Sequence, residues 1–110
     1  MARHYLFFVY IMASSSGTLY VGVSNNIYAR SGQHKLGIGS AFCRKYKIDR
    51  LVYYEEYQYI LTAIDRETEV KKWRRAKKVA LIESMNPSWR DLRKDFDLRV
   101  FMKQPKFAKQ

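Results

Sequence analysis

The chain has 110 residues, with 21 Lys and Arg against 10 Asp and Glu, and it carries a formal net charge of +11. This length and a hydrophobic content of 47% fit one domain with a modest core and exclude a second domain. Because like charges repel one another in a compact state, the composition predicts a polyanionic partner, nucleic acid above all. A generic basic protein, such as a ribosome-associated factor, is the alternative.

The order of apolar, small and polar residues predicts eight elements. They are a strand at 4–12, a turn of small residues at 13–17, a strand at 18–23, a helix from Asn25 or Asn26 to Leu36, a short helical turn from Ser40 to Tyr46, a strand at 50–57, a helix capped by Thr62 and Asp65 that ends at Arg75, and a helix at 76–85. Because a tight hairpin joins two strands and the third arrives through a helical crossover, we expect an α+β fold. It should contain a three-stranded, mostly antiparallel sheet with helices packed on it.

The last segment, residues 94–110, has no clear period, so we expect a basic tail that frays or lies loosely on a domain of residues 1–93. Acidic residues are interleaved with the basic ones, and the longest apolar run, 5–13, is too short to span a membrane and lacks the features of a signal peptide. We therefore expect a cytoplasmic protein with no membrane partner. The lone Cys43 excludes an intramolecular disulfide, and no zinc spacing accompanies it.

Glu67 occupies an unusual position on its predicted helix. At about 100° per residue, it shares one face with Ala63, Val70 and Arg74. A carboxylate in such a stripe costs on the order of several kcal/mol to desolvate unless it is paired or holds a cation. Two interpretations stay open: an ion pair with Arg74 or Arg30, or a site for a divalent metal ion.

Several features in a fixed order carry a resemblance to a known family. They are Tyr10 in Val9-Tyr10-Ile11, Tyr20 in Tyr20-Val21-Gly22, Arg30 and His34 four residues apart, Glu67, and the stretches 51–55, 71–75 and 85–92. Together they resemble the GIY-YIG nucleases, in particular small stand-alone bacterial members similar to the N-terminal nuclease domain of the excision-repair incision subunit. The resemblance covers residues 5–93.

The resemblance implies a metal-dependent endonuclease that hydrolyses phosphodiester bonds in DNA. In that family the residue at Tyr20 activates the attacking water, the residue at Tyr10 orients it, and the residue at Arg30 stabilises charge on the phosphate. His34 matches a position near the scissile group that is often histidine. Glu67 matches the only carboxylate ligand of one divalent ion, Mg2+ or Mn2+.

Each of these residues also has an ordinary structural interpretation. Tyr10 and Tyr20 can be packing residues of strands, Arg30 a surface residue, and His34 a helix-surface or capping residue. An unperturbed phenol has a pKa near 10, so ionising it at pH 7 costs about 4 kcal/mol. We therefore expect nearby cations to lower the pKa of these tyrosines, or a relay to remove the proton.

The basic residues predict where DNA binds. Those expected to contact phosphates are Arg30, Lys35, Lys71, Lys72, Arg74, Arg75, Lys77 and Lys78. Such a charge run is otherwise a solvated helix face. Asn86 either matches an asparagine that follows the metal glutamate in the family or caps its helix locally before Pro87.

The chain departs from the family pattern beside Arg30. Ser31 and Gly32 stand where close relatives have apolar or aromatic residues, and Gly32 costs a helix up to about 1 kcal/mol relative to alanine. We therefore expect a looser helix. The predicted substrate is branched or single-stranded DNA, with specificity that is low or supplied by a protein partner. The rival hypothesis is a non-catalytic nucleic-acid-binding module on the same fold.

Overall fold

The computed structural model describes residues 6–96. Its elements are strand β1 (Phe7–Ala13), strand β2 (Leu19–Ser24), helix α1 (Ile27–Lys35), helix α2 (Ala41–Tyr46), strand β3 (Arg50–Tyr57), helix α3 (Ile60–Lys72), helix α4 (Arg75–Met85) and a 3-10 helix (Leu92–Phe96). The predicted α+β class is confirmed. Within this part of the chain, no helix is long and apolar enough to cross a membrane.

The three strands form an antiparallel sheet in the order β2-β1-β3. The central strand β1 pairs Tyr10 with Gly22 on β2 and with Tyr54 on β3. A register shift between Ile11 and Met12 interrupts the pairing with β3. The hairpin and the third strand therefore lie where the alternation of the sequence predicts them.

Successive side chains of β1 point to opposite faces of the sheet and enter two separate cores. The first core contains Val9, Ile11, Ala13, Val21, Val52, Tyr53, Ala63, Val70 and Ile82. The second core contains Phe8, Tyr10, Met12, Ile27, Cys43, Ile48, Leu51 and Leu92. Helices α3 and α4 thus cover one face of the sheet, and α1, α2 and the 3-10 helix cover the other.

Helix α3 begins earlier than predicted. It starts at Ile60, and Tyr59 at its N-cap makes no side-chain capping hydrogen bond. The predicted cap by Thr62 and Asp65 is therefore wrong. The chain leaves β3 at Tyr57 and enters the helix after two residues, so Thr62 already lies within its first turn.

The boundary between α3 and α4 also lies earlier, because Trp73 and Arg74 adopt extended backbone conformations after Lys72. Two cations contact the Trp73 ring. The guanidinium of Arg66 is 5.0 Å from the ring centroid, and the Nζ of Lys77 is 4.2 Å from it. Each such contact contributes about 0.5–1 kcal/mol at a partly exposed site. The two helices thus meet at a stabilised corner instead of forming one rod.

The predicted tail begins at residue 94, and most of it lies outside the described residues. Its first residues complete the 3-10 helix, where the ring of Phe96 packs edge-on against Phe8 at 5.8 Å and Tyr54 at 4.8 Å. The first residues of the predicted tail are therefore packed on the second core through Phe96.

A carboxylate fastens α3 to the edge strand β3. Glu55 accepts hydrogen bonds from the hydroxyls of Tyr53 at 2.5 Å and Tyr57 at 2.6 Å. It also accepts two from the Arg66 guanidinium, at 2.9 and 2.8 Å. Burial raises the pKa of Glu55, but the bonds from Arg66 and the two tyrosines outweigh it and hold the pKa below its usual range. The ionised form of Glu55 is therefore favoured in the folded state.

We predict that Glu55→Gln lowers the free energy of unfolding by about 2–3 kcal/mol, because the amide leaves Arg66 and one tyrosine without a charged acceptor. In the parent, the stabilisation by Glu55 is full above its ordinary pKa of 4.5 and is lost as the pH falls further. Burial and the bond to Glu55 raise the pKa of Tyr57 from 10.0 to about 12, so its stabilisation is lost as the pH rises across that range.

Urea unfolding across this pH range measures both effects. Glu56→Gln is the matched control, because Glu56 is the exposed neighbour on the same strand. Equal stability of the Glu55 and Glu56 variants would contradict the prediction.

Candidate functional site

Two tyrosines and a histidine form an aromatic cluster on the face of the sheet that α1 and α2 cover. Their ring centroids are 6.4 Å apart for Tyr10 and Tyr20, 6.1 Å for Tyr10 and His34, and 5.1 Å for Tyr20 and His34. Tyr10 is buried and Tyr20 is half-buried. The two motif strands therefore bring both tyrosines to the same helix residue.

Gly22 makes this arrangement sterically feasible. It lies directly opposite Tyr10 in the sheet, and a Cβ built on it would lie 2.5 Å from the phenolic oxygen of Tyr10. Any side chain at this position would push the Tyr10 ring away. The lack of a side chain at Gly22 thus leaves the space that the Tyr10 ring occupies.

Helix α1 carries His34 into the interior beneath the loop that follows the helix. The Tyr10 hydroxyl and His34 Nε2 form a hydrogen bond of 3.2 Å. On the other side of the ring, a Cβ at Gly39 would lie 2.4 Å from Nδ1. Nδ1 is buried and has no hydrogen-bond partner among the described residues. The loop therefore clamps the imidazole against Tyr10.

Burial keeps both members of this pair neutral. It raises the pKa of Tyr10 well above its usual range, with a further rise from Tyr20, while Arg30 acts in the opposite direction. The expectation that nearby cations lower the pKa of this phenol is therefore wrong for Tyr10, because desolvation outweighs the cation. Burial also lowers the pKa of His34, followed by the charge of Arg30. Repulsion between a charged His34 and Arg30 is thereby avoided at neutral pH.

Arg30 lies at the surface beside this pair. Its side chain is exposed, its Nη1 donates to Oε1 of Gln33 at 3.2 Å, and its charge acts on Tyr10 and His34. A guanidinium that is exposed and lightly held can receive a phosphate in a bidentate geometry. Tyr10, Tyr20, Arg30 and His34 therefore form one site.

The departure at Ser31 and Gly32 has a packing explanation. Arg93, from the 3-10 helix, donates from Nε to Oγ of Ser31 at 3.2 Å and from Nη2 to the carbonyl of Tyr28 at 3.3 Å. A Cβ on Gly32 would lie 2.5 Å from Nη2 of Arg93. The absence of a side chain at Gly32 therefore leaves room for the Arg93 guanidinium. The sequence analysis did not select Arg93.

Glu67 lies on α3, which packs on the opposite face of the sheet from the aromatic cluster. Ala63 and Val70 on the same stripe are buried, as predicted, and the Glu67 side chain is 15% exposed. Its ion-pair partner is Lys71 at 2.7 Å, so the expected pairing with Arg74 or Arg30 is wrong. Spacing explains this, because residues four apart on a helix face each other.

The donor set at Glu67 fits only a cation that takes few protein ligands. No group of three or more His, Cys, Asp or Glu side chains could hold a metal within residues 6–96. Mg2+ fits this condition, because it keeps several waters and is commonly bound through one or two carboxylates and substrate phosphates. Glu67 can therefore serve as a single carboxylate ligand once Lys71 moves aside.

Apart from Arg30, the basic residues expected to contact phosphates fall into two groups. Four of them already have a partner within the protein: Lys35 pairs with Asp91 at 2.8 Å, Lys71 pairs with Glu67 at 2.7 Å, Arg75 donates to the Gly17 carbonyl at 2.5 Å, and Lys77 lies over the Trp73 ring at 4.2 Å. Lys72, Arg74 and Lys78 have no side-chain partner among the described residues. The second group is the more available for DNA.

Asn86 is occupied by backbone groups. Its Nδ2 donates to the carbonyls of Val52 at 3.1 Å and Arg90 at 2.8 Å, and its Oδ1 accepts from the Arg90 N–H at 3.1 Å. The side chain is buried at the end of α4. Asn86 is the C-cap residue of α4, but its side chain bonds strand β3 and the following turn at Arg90 and not the carbonyls of the helix. The aromatic cluster does not include it.

An aromatic residue that the sequence analysis did not select borders the site. The ring of Phe42 on α2 lies 6.4 Å from Tyr20, and Tyr46 on the same helix lies 4.8 Å from Phe42. The signal in the sequence is the spacing of four residues between two aromatic side chains in a basic stretch. Only the tertiary approach of α2 to β2 shows that they border Tyr20.

Three comparisons agree with this architecture. Residues 6–80 match the family model described as the GIY-YIG catalytic domain. A UPF0213 protein from Staphylococcus aureus strain Mu3 is 38% identical over 76 residues, which cover 69% of this chain and 93% of that protein. The same values hold for a UPF0213 protein from strain COL. The solution NMR structure of a UPF0213 protein from Bacillus halodurans superposes with a TM-score of 0.51 at 27% identity, covering 78% of this chain and 92% of that one.

We predict that Gly39→Ala displaces the His34 ring, because a methyl group at this position meets the imidazole. The ring gains access to water, so the pKa of His34 should rise toward its ordinary value of 6.5. Stability should fall by about 1–3 kcal/mol, as for other overpacked interiors. NMR titration of the imidazole resonance, assigned with His34→Gln, measures the shift.

Ile38→Ala is the control, because Ile38 is the exposed neighbour of Gly39. An unchanged pKa of His34 in Gly39→Ala would show that the loop does not hold the ring.

Proposed function

Because this chain belongs to the GIY-YIG family, we propose that it is a metal-dependent endonuclease that hydrolyses phosphodiester bonds in DNA. The observation that carries the proposal is the contact of Tyr10, Tyr20 and His34 beside an exposed Arg30. The arrangement combines groups that handle a proton with a cation that accepts a phosphate. A basic, exposed surface on the same small domain supplies affinity for the rest of the nucleic acid.

Each residue of the site has a distinct task in the proposal. Arg30 binds the scissile phosphate and stabilises the charge that develops on it. Tyr20, half-buried at the edge of the cluster, helps to activate the attacking water. Tyr10 stays neutral and orients the site through its bond to His34. The 3.2 Å hydrogen bond between His34 Nε2 and the Tyr10 hydroxyl holds the two rings in register.

Glu67 is proposed to hold the divalent cation, Mg2+ or Mn2+. When bound, this ion would supply a Lewis acid for charge on the phosphate and the leaving group. Because α3 packs on the other face of the sheet from the aromatic cluster, the proposal requires the phosphate to reach Glu67 around the edge strand β2, which α3 also contacts. Glu67 contributes one carboxylate from α3, and Lys71 must release it. Lys71 is then free to approach a backbone phosphate nearby.

The rival is a non-catalytic module that binds nucleic acid through the same surface. The ion pair of Glu67 with Lys71 at 2.7 Å favours it, because this carboxylate is already neutralised without a metal. Metal binding and cleavage separate the two functions. Branched or single-stranded DNA is the proposed substrate of the nuclease and the proposed ligand of the non-catalytic module.

We predict that Glu67→Gln abolishes cleavage in Mg2+ while the fold is retained, since the amide keeps the shape and loses the charge that binds the ion. Lys71→Met should tighten Mn2+ binding about twofold, because an ion pair at i,i+4 on a helix is worth about 0.3–0.5 kcal/mol. Mn2+ titration followed by electron paramagnetic resonance measures this without any reaction.

Lys72→Met is the matched control, because it makes the same charge change on the same helix without touching Glu67. If the Lys71 and Lys72 variants bind Mn2+ equally, Lys71 does not compete for the site. Undiminished cleavage by Glu67→Gln would remove the metal from the mechanism.

We predict that Tyr20→Phe and Arg30→Ala each slow single-turnover cleavage by about 10²–10³-fold, because both groups act mainly in the transition state. DNA affinity should stay near the parent value for Tyr20→Phe. It should fall up to about tenfold for Arg30→Ala, which loses one charged contact to phosphate. Quenched-flow cleavage and anisotropy binding provide the two measurements.

Tyr59→Phe is the control for the loss of a phenol, since Tyr59 is 70% exposed at the start of α3. Parent-like cleavage by both site variants, or binding without cleavage by the parent in Mg2+, would favour the non-catalytic module.

A further inference from the structure

Helix α2 presents two large aromatic side chains to solvent next to the candidate site. Phe42 is 44% exposed and Tyr46 is 42% exposed. They are four residues apart, so they lie on one face of the helix, and their ring centroids are 4.8 Å apart. We call this pair the α2 platform.

The α2 platform continues the row of rings that forms the site. Tyr20 contacts His34 at 5.1 Å on its inner side and Phe42 at 6.4 Å on its outer side. A strand whose scissile phosphate lies at Arg30 and Tyr20 can therefore pass over Phe42, which borders Tyr20. The platform thus meets whatever flanks the scissile bond.

The charge around the platform matches a polyanion. Lys45 places its Nζ 5.3 Å from the centroid of the Tyr46 ring, and Arg44 beside it is exposed. Residues 40–47 contain no acid. Exposed aromatic rings interleaved with cations are the arrangement by which proteins bind single-stranded nucleic acid, with the rings stacking on bases and the cations contacting phosphates.

We propose that Phe42 and Tyr46 stack on unpaired nucleobases that flank the scissile phosphate and thereby select single-stranded segments of DNA over continuous duplex. This inference rests on the proposed function for the position of the phosphate and names the substrate class of the same site. In a continuous duplex, each base is stacked on its neighbours and offers no free face to these rings. A single strand, a flap or a bubble offers that face.

The test measures binding in chelator, where no cleavage takes place, with a labelled single strand and with the same strand annealed to its complement. Phe42→Ala and Tyr46→Ala should each weaken binding to the single strand by about 5- to 160-fold, which is the stacking magnitude of about 1–3 kcal/mol per base converted to affinity. Binding to the duplex should change less than about twofold. Tyr59→Ala is the matched control, because it removes another exposed aromatic ring away from the site.

Two further comparisons keep the result specific. Phe42→Leu retains apolar volume on α2 and should lose single-strand affinity like Phe42→Ala, whereas Phe42→Trp should retain it. A single strand with abasic positions beside the labelled phosphate should bind the parent weakly and be insensitive to Phe42→Ala. Equal losses on single strand and duplex, or no loss on either, would overturn the proposal.

Cleavage in Mg2+ separates this inference from the function on which it rests. If the parent cleaves DNA while the Phe42 and Tyr46 variants bind and cleave single strands like the parent, the platform is refuted and the nuclease stands. If the variants lose single-strand binding selectively but the parent cleaves nothing, the platform stands on a non-catalytic module.

Discussion

The burial of strand β1 on both faces is the constraint on which the rest of the structure depends. It lies between β2 and β3, and residues 9–13 are almost inaccessible to solvent. Because side chains alternate, the strand must complete two cores at once. Tyr10 is the only polar side chain in β1, so its hydroxyl requires a partner inside the protein. His34 supplies that partner, and this requirement fixes α1 over the sheet.

The same burial determines the electrostatics of the site. Desolvation keeps Tyr10 and His34 neutral, while Arg30 carries its charge at the surface in front of them. A phosphate that binds Arg30 would offset the cation that lowers the pKa of His34, and the imidazole would then accept a proton more readily. Burial, the larger of the two effects, would still hold the pKa of His34 below its usual range.

The elements that depend on local pattern were predictable from sequence. The alternation of apolar and polar residues predicts the hairpin and β3. The spacing of residues along a helix predicts the buried stripe that contains Glu67. The partner of Glu67 is Lys71, four residues along the same helix, and not Arg74 or Arg30, because residues at this spacing face each other. The roles of Gly39 and Phe42 depend on how α2 folds back onto α1 and β2. No periodicity within either segment encodes that approach.

Tertiary contacts offset the free-energy cost of Gly32, the glycine inside α1 that departs from the family pattern beside Arg30. A glycine inside α1 costs up to about 1 kcal/mol relative to alanine. At Gly32 it admits Arg93, whose guanidinium bonds Ser31 and stacks 4.1 Å from the Tyr28 ring. Hydrogen bonds that involve a charged group contribute about 1.5–3 kcal/mol each, so the penalty is offset. The helix that carries Arg30 is therefore held in place by Arg93, in the segment that follows α4.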